Sequence, residues 1–338
     1  APAANEPRVA AEVTRDGVKA ALDRVKAVFA GRGYKVHFDV GSLYHPPDGI
    51  SEPDHDLGNA SAKVTFSQGV SLGATGDRAN FFAYKSGNMD IRRRNIFYYA
   101  LFGYSQNADG SAGSSGIAEI NGNDLIVTLG NWGLTSGSNR LINYQASTLM
   151  HEWGHNLGLP HGGSDSVNYK PNYFSIMNYT YQLSGLPLLD NNPGDRYYYY
   201  RRNTFGDCSL ITSMSQLTNN ANTPTFIMDF SDGTGSALNE ASITESNGLY
   251  RAGSSAVDFN CNGSAGNSGY GKDLNGDGSN TTYSDYDDWG NMSILFMRKY
   301  SGTDSGYFTS SGDGLVRFDP VGNDRQVVIP EEVIPGAR

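Results

Sequence analysis

The sequence predicts an α+β fold, with a mixed twisted sheet and a long central helix in its first half and a loop-rich second half. Three observations carry this expectation. Thr14 to Gly31 places Val18, Ala21, Leu22, Val25, Val28 and Phe29 at helical spacing, and Gly31 and Gly33 stop the pattern. Short alternating or apolar runs bounded by turn residues then recur between Tyr34 and Leu129, as in strands. Beyond Leu157 no long periodic pattern appears until Leu238 to Leu249, in a chain with 42 glycines and only 18% charged residues.

The elements follow in order. Arg8 to Val13 reads as a short strand before the first helix, and Tyr34 to Val40 alternates apolar with polar, so it is expected to be a half-buried strand. Ser42 to Gly58, with its paired prolines and Asp54, His55 and Asp56, reads as a loop. Arg92, Arg93 and Arg94 are expected on the wet face of a short helix leading into a buried strand over Ile96 to Tyr104. Ser115 to Ile120 reads as a strand ending in the Asn121-Gly122 turn, a hairpin signal, with Leu125 to Leu129 as the buried strand that follows. A helix is placed from about Arg140 to Leu157. Asp195 to Arg202 (DRYYYYRR) is read as structure, an inserted strand, in preference to an aromatic substrate-gripping surface.

Composition narrows the class of protein. The 338 residues carry 25 Lys+Arg against 35 Asp+Glu, a formal net charge of -10, which suits neither phosphate backbones nor the reading of the three arginines as a nucleic-acid patch. Cys208 to Met228 lacks charge but is full of Ser, Thr, Asn and Gln, so it fails as a membrane span. The start, Ala1 to Asn5, has no initiator Met, as expected of a mature chain whose leader has been removed. Two cysteines, Cys208 and Cys261, permit one disulfide in an oxidising compartment; two buried thiols are the alternative. These features together fit an exported chain, which is expected to be a monomer.

The chemistry concentrates in His151-Glu152-Trp153-Gly154-His155-Asn156-Leu157-Gly158-Leu159-Pro160-His161, which satisfies H-E-x-x-H-x-x-G-x-x-H at every specified position. With only six histidines in the chain, chance would produce this pattern on the order of once in a hundred thousand such sequences. Residues four apart share a helix face, so His151 and His155 can aim at one point, and Gly158 lets the backbone leave the helix and deliver His161 as a third ligand. Three imidazoles suit Zn2+ and leave a coordination position open for water, the mark of a catalytic site. Glu152 is placed to reach that water as general base.

Ser175-Ile176-Met177-Asn178-Tyr179 follows His161 by 14 residues. With both motifs the chain resembles the metzincin zinc endopeptidases, and the S-x-M-x-Y form is similar to that of astacins and serralysins. The resemblance implies zinc binding by His151, His155 and His161, a general base at Glu152, a hydrophobic floor at Met177 and an oxyanion donor at Tyr179. It implies a metzincin-like fold and leaves most of the chain after Gln182 uncovered; the chain as a whole is read as an upper catalytic lobe over residues 1–163 with the active-site helix and a loop-rich lower lobe over 164–338, together one catalytic domain. It also implies that an extended protein or peptide substrate adds antiparallel to Ser115 to Ile120 as the sheet's edge strand. The pattern departs from astacins and serralysins at Gly162-Gly163, and no glycine-rich nonapeptide repeats follow.

Asp273 to Ser279 offers oxygen ligands at alternate positions and glycine at the sixth, as the first half of an EF-hand does, although Ser284 stands where its glutamate would. Asp273, Asn275, Asp277, Ser279 and Asp285 are therefore expected to hold a structural Ca2+, against a solvated acidic loop as the plainer alternative. The function expected is secreted, zinc-dependent hydrolysis of peptide bonds. The rival from another class is a calcium-stabilised extracellular binding module with a zinc site that does not turn over, against which Glu152 argues, since a pure binding site has no use for it.

Overall fold

The computed structural model describes residues 15–40, 64–72, 78–94 and 96–293, together with the backbone of strands at 299–300, 307–311, 314–317 and 328–330. The strand expected at Arg8 to Val13 and the loop expected at Ser42 to Gly58 lie outside the described residues. The chain divides into two compact units, Ala1–Gly158 with Ser293–Arg338, and Leu159–Met292.

The first unit opens with α1 (Arg15–Gly31), which buries Ala21, Leu22, Val25 and Phe29, the stripe read from its spacing. Phe29 stacks on Trp153 of the central helix α3 (Asn139–Asn156), with ring centroids 4.7 Å apart. Between them come β1 (Val70–Ser71), β2 (Ala79–Asn80), α2 (Phe81–Asn88), β3 (Tyr99–Phe102), β4 (Gly116–Glu119) and β5 (Asp124–Val127). β1 and β2 pair in parallel. β4 and β5 form the expected antiparallel hairpin through the Asn121-Gly122 turn, with Ile117 opposite Ile126, and β3 joins β5 in parallel. Asn121 takes the left-handed backbone the turn demands, φ 54°. Val70, Leu72, Phe81, Leu101 and Ile126 close the core on one face of this sheet. Lys85 of α2 forms a buried ion pair with Asp124 of β5 at 2.6 Å.

Four expectations in this unit are corrected. Tyr34 to Val40 forms no strand: Val36 is buried and Phe38 packs edge-on to Trp153, so the alternation serves packing and no ladder. Ile96 to Tyr104 contributes only the four residues of β3, with Ile96 70% exposed. Arg92 to Arg94 lie in turns, not a helix; Arg93 pairs with Asp39 and Arg94 is buried, so only Arg92 is wet. Finally β4 is not a sheet edge. The chain returns after the second unit through β10 (Lys299–Tyr300), β11 (Tyr307–Ser311), β12 (Gly314–Arg317) and β13 (Val328–Pro330), and the sheet order is β13-β4-β5-β3. Val328, Ile329 and Pro330 lie antiparallel to Glu119, Ala118 and Ile117, so the chain's own segment satisfies backbone groups that an edge would leave open.

The second unit is built of loops and short elements: α4 (Tyr179–Gln182), α5 (Asp195–Phe205), β6 (Leu238–Asn239), β7 (Ile243–Thr244), β8 (Ser268–Tyr270), β9 (Thr282–Tyr283) and α6 (Asp288–Asn291). Asp195 to Arg202 is helical, not an inserted strand. Tyr197, Tyr198 and Tyr200 are buried along it, and Arg196 is buried with its guanidinium on Asp195, Thr218 and the Ser184 and Gly185 carbonyls. The periodic stretch Leu238 to Leu249 is two strands and a 3-10 turn; its apolar residues Leu238, Ile243 and Leu249 are buried without a helix. Cys208 and Cys261 are bonded, with Cα atoms 5.5 Å apart.

Candidate metal centre

α3 starts at Ser138, whose hydroxyl accepts from the Leu141 amide, and runs nearly its whole length buried, which suits a helix carrying chemistry through a core. His151 and His155, one turn apart, are both fully buried, and their Nε2 atoms stand 3.0 Å from each other. His161 is 7% exposed, and one nitrogen from each of the three histidines falls within 4.8 Å of the others. Nitrogens on a tetrahedron of about 2.0–2.1 Å bonds would be roughly 3.3 Å apart, so a small adjustment fits this donor set to Zn2+. Among the described residues no other group of three or more His, Cys, Asp or Glu converges in this way.

The end of α3 is held by the hairpin. The Asn121 amide donates to the His155 carbonyl at 2.9 Å, and Asn156 Nδ2 donates to the Glu119 and Asp124 carbonyls at 2.8 and 3.1 Å, so one side chain ties the helix to both strands. Gly158 leaves the helix with φ 94°, and a side chain there would stand 2.6 Å from Asn121 Oδ1. Glu152 is fully buried, and β4 runs so close that a Cβ on Gly116 would collide with its Oε1. Gly116 is therefore required as glycine by this approach. Neither Asn156 nor Gly116 is singled out by sequence reading; their roles depend on strands more than 25 residues from the helix end.

In the second unit Ser175 to Asn178 forms a tight turn: the Asn178 amide donates to the Ser175 carbonyl at 3.0 Å, and Met177 at its tip is fully buried. Asp288 anchors the turn's approach. Its carboxylate accepts from the Tyr173 hydroxyl at 2.7 and 2.9 Å and from the Ser231 amide, and burial pushes its pKa up to about 7. Tyr179 is half-buried, its ring tilted against that of His161 with centroids 4.3 Å apart. Tyr169 lies edge-on to Tyr179 and stacks on Tyr200 of α5 at 4.2 Å. It does so from a left-handed backbone, φ 62°, a costly conformation for a bulky residue, with its amide donating to Asn178 Oδ1.

The expected calcium ligands do not all come together. Asp273 accepts from the Gly276 and Gly278 amides, Asp277 from the amide and hydroxyl of Ser279, and Asn275 Nδ2 donates to Asp277. Asp285 is corrected out of this set: it accepts from Ser231 Oγ and the Gly235 amide and pairs with Arg251 at 3.1 Å.

Residues 18–162, less than half of the chain, match the family model described as Metallo-peptidase family M12B Reprolysin-like. Neither the curated proteins nor the solved structures yield a match.

Proposed function

We propose that this chain, a zinc metallopeptidase of the metzincin clan and so a hydrolase of peptide bonds, is a secreted endopeptidase whose zinc is held by His151, His155 and His161. The observation that carries this reading is the convergence of three buried imidazoles at the end of a helix that also buries Glu152. Zinc, when bound, supplies Lewis acidity, polarising a substrate carbonyl and lowering the pKa of water. Glu152 takes the proton of the attacking water and passes it to the leaving amine. Its burial beside Gly116 keeps the carboxylate in one place and out of bulk solvent.

Tyr179 donates its hydroxyl to the developing oxyanion, a role its position beside His161 supports. Tyr179→Phe should lower kcat by about 10²- to 10³-fold while changing KM little, since such a donor acts chiefly in the transition state. Steady-state kinetics on a fluorogenic peptide decide this; an unchanged kcat returns Tyr179 to a packing role.

Secretion is supported by the disulfide. No helix among the described residues is long and apolar enough to cross a membrane. Calcium is proposed for the Asp273 to Ser279 loop, where Gly278 at the sixth position has φ 85° and the Asp273 and Asp277 carboxylates already organise the turn. A calcium-selective chelator should lower the melting temperature, and Asp273→Ala with Asp277→Ala should do the same without loss of zinc. A melting curve unmoved by both treatments would leave a solvated acidic turn.

A further inference from the structure

We propose that Lys170 is a positioning residue for the third metal ligand. The inference rests on the reading of His161 as a zinc ligand and concerns how that imidazole is held. Lys170 lies in the irregular loop after the histidine motif, and its side chain is 1% exposed. A lysine so deeply buried is rare unless its ammonium is fully engaged. Its Nζ donates to the Gly162 carbonyl at 2.9 Å and to Asp165 Oδ2 at 2.7 Å, and lies 6.0 Å from the centre of the Tyr173 ring.

Gly162 is the residue after His161, so the ammonium grips the ligand's own peptide segment. The turn it grips is closed from both sides: the Gly162 amide donates to the Asp165 carbonyl and the Gly163 amide to that of Pro160. A Cβ on Gly162 would collide with Asp165 Oδ1, and one on Gly163, φ 82°, with the Tyr286 ring. Of the Gly-Gly pair that departs from the astacin and serralysin pattern, Gly162 is thus what the lysine-bound turn requires, and Gly163 answers to its left-handed backbone and the Tyr286 ring.

The same residue reaches the second motif. The Lys170 carbonyl accepts from Asn178 Nδ2 at 2.6 Å, and Asn178 stands between Met177 and Tyr179. Asn178 Oδ1 in turn accepts from the Tyr169 and Thr180 amides, and Asn168 Oδ1 accepts from the Tyr179 amide. One buried lysine therefore joins the segment bearing His161 to the turn bearing Met177 and Tyr179, through its ammonium on one side and its carbonyl on the other. Ordering these groups ahead of metal binding removes a cost that binding would otherwise bear.

The test is competition between the purified full chain and a chromophoric chelator for Zn2+, at a temperature where circular dichroism shows each variant folded. Lys170→Met should raise the zinc dissociation constant by about 10- to 100-fold, the range found when residues supporting metal ligands are changed. The visible absorption of the Co2+-substituted variant should also change, because the third imidazole is no longer fixed. If Lys170→Met does not fold, Asp165→Asn at a 45% exposed side chain takes its place, with a weakening of at least several-fold expected. Zinc affinity within twofold of wild type and an unaltered Co2+ spectrum, in a folded variant, would overturn the role of Lys170. Failure of the wild-type chain itself to bind one Zn2+ would instead overturn the zinc assignment, and with it this inference.

Discussion

Glu152→Ala should retain near-stoichiometric zinc and lose turnover by about 10²- to 10⁴-fold, because in the proposed function the carboxylate moves protons and does not hold the metal. The separation of metal binding from turnover distinguishes this account from simple damage to α3. Glu152 is buried against Gly116, so Ala removes atoms without introducing a clash, and the histidines on the same helix keep their backbone. Zinc content measured beside casein hydrolysis reads both quantities on one sample. Activity surviving at more than a few per cent would take the general base away from Glu152.

The second large effect concerns stability. Cys208 and Cys261 are separated by 53 residues, and opening their bridge by paired Ser substitution should cost about 4 kcal/mol on the chain-entropy account. The enclosed segment makes the loss local as well as global. Cys208 follows α5, whose Tyr197 hydroxyl donates to the Phe259 carbonyl and whose Tyr198 hydroxyl accepts from the Asp258 amide, two contacts just before Cys261. Denaturant unfolding of the paired variant gives the difference. A midpoint unchanged from that of the bridged protein would show the bond to be incidental.

What the sequence revealed and what it hid divide along the range of the interactions involved. α1, α3 and the β4–β5 hairpin were legible because helical spacing, the stopping glycines and the Asn-Gly turn are local signals, and the zinc motif is itself a helix-period pattern. Tyr34 to Val40 has the alternation of a strand, but a strand needs a partner, and here Val36 and Phe38 spend that alternation on packing. Asp195 to Arg202 reads as strand from its run of tyrosines, yet it folds as part of α5, where partners distant in sequence, such as the Asn275 carbonyl for the Tyr200 hydroxyl, receive the buried side chains. The edge position of β4 failed because β13 comes from about 200 residues later in the chain. Lys170, Tyr169 and Asn156 left no trace in pattern, since the carbonyls, the Asp165 carboxylate and the tyrosine rings they engage are brought near only by the folded chain. Asp285 lies close to the acidic loop in sequence, whereas in space it pairs with Arg251.

The central claim is that three histidines of this chain hold one zinc for peptide-bond hydrolysis. X-ray absorption at the zinc edge on the purified, active protein tests it most directly, with metal content determined on the same sample. One zinc per chain is predicted, with three imidazole nitrogens at about 2.0–2.1 Å and one further light-atom ligand. His155→Ala should lose both the metal and activity. Full activity without zinc, or zinc bound in a shell with fewer than two imidazoles, would contradict the account.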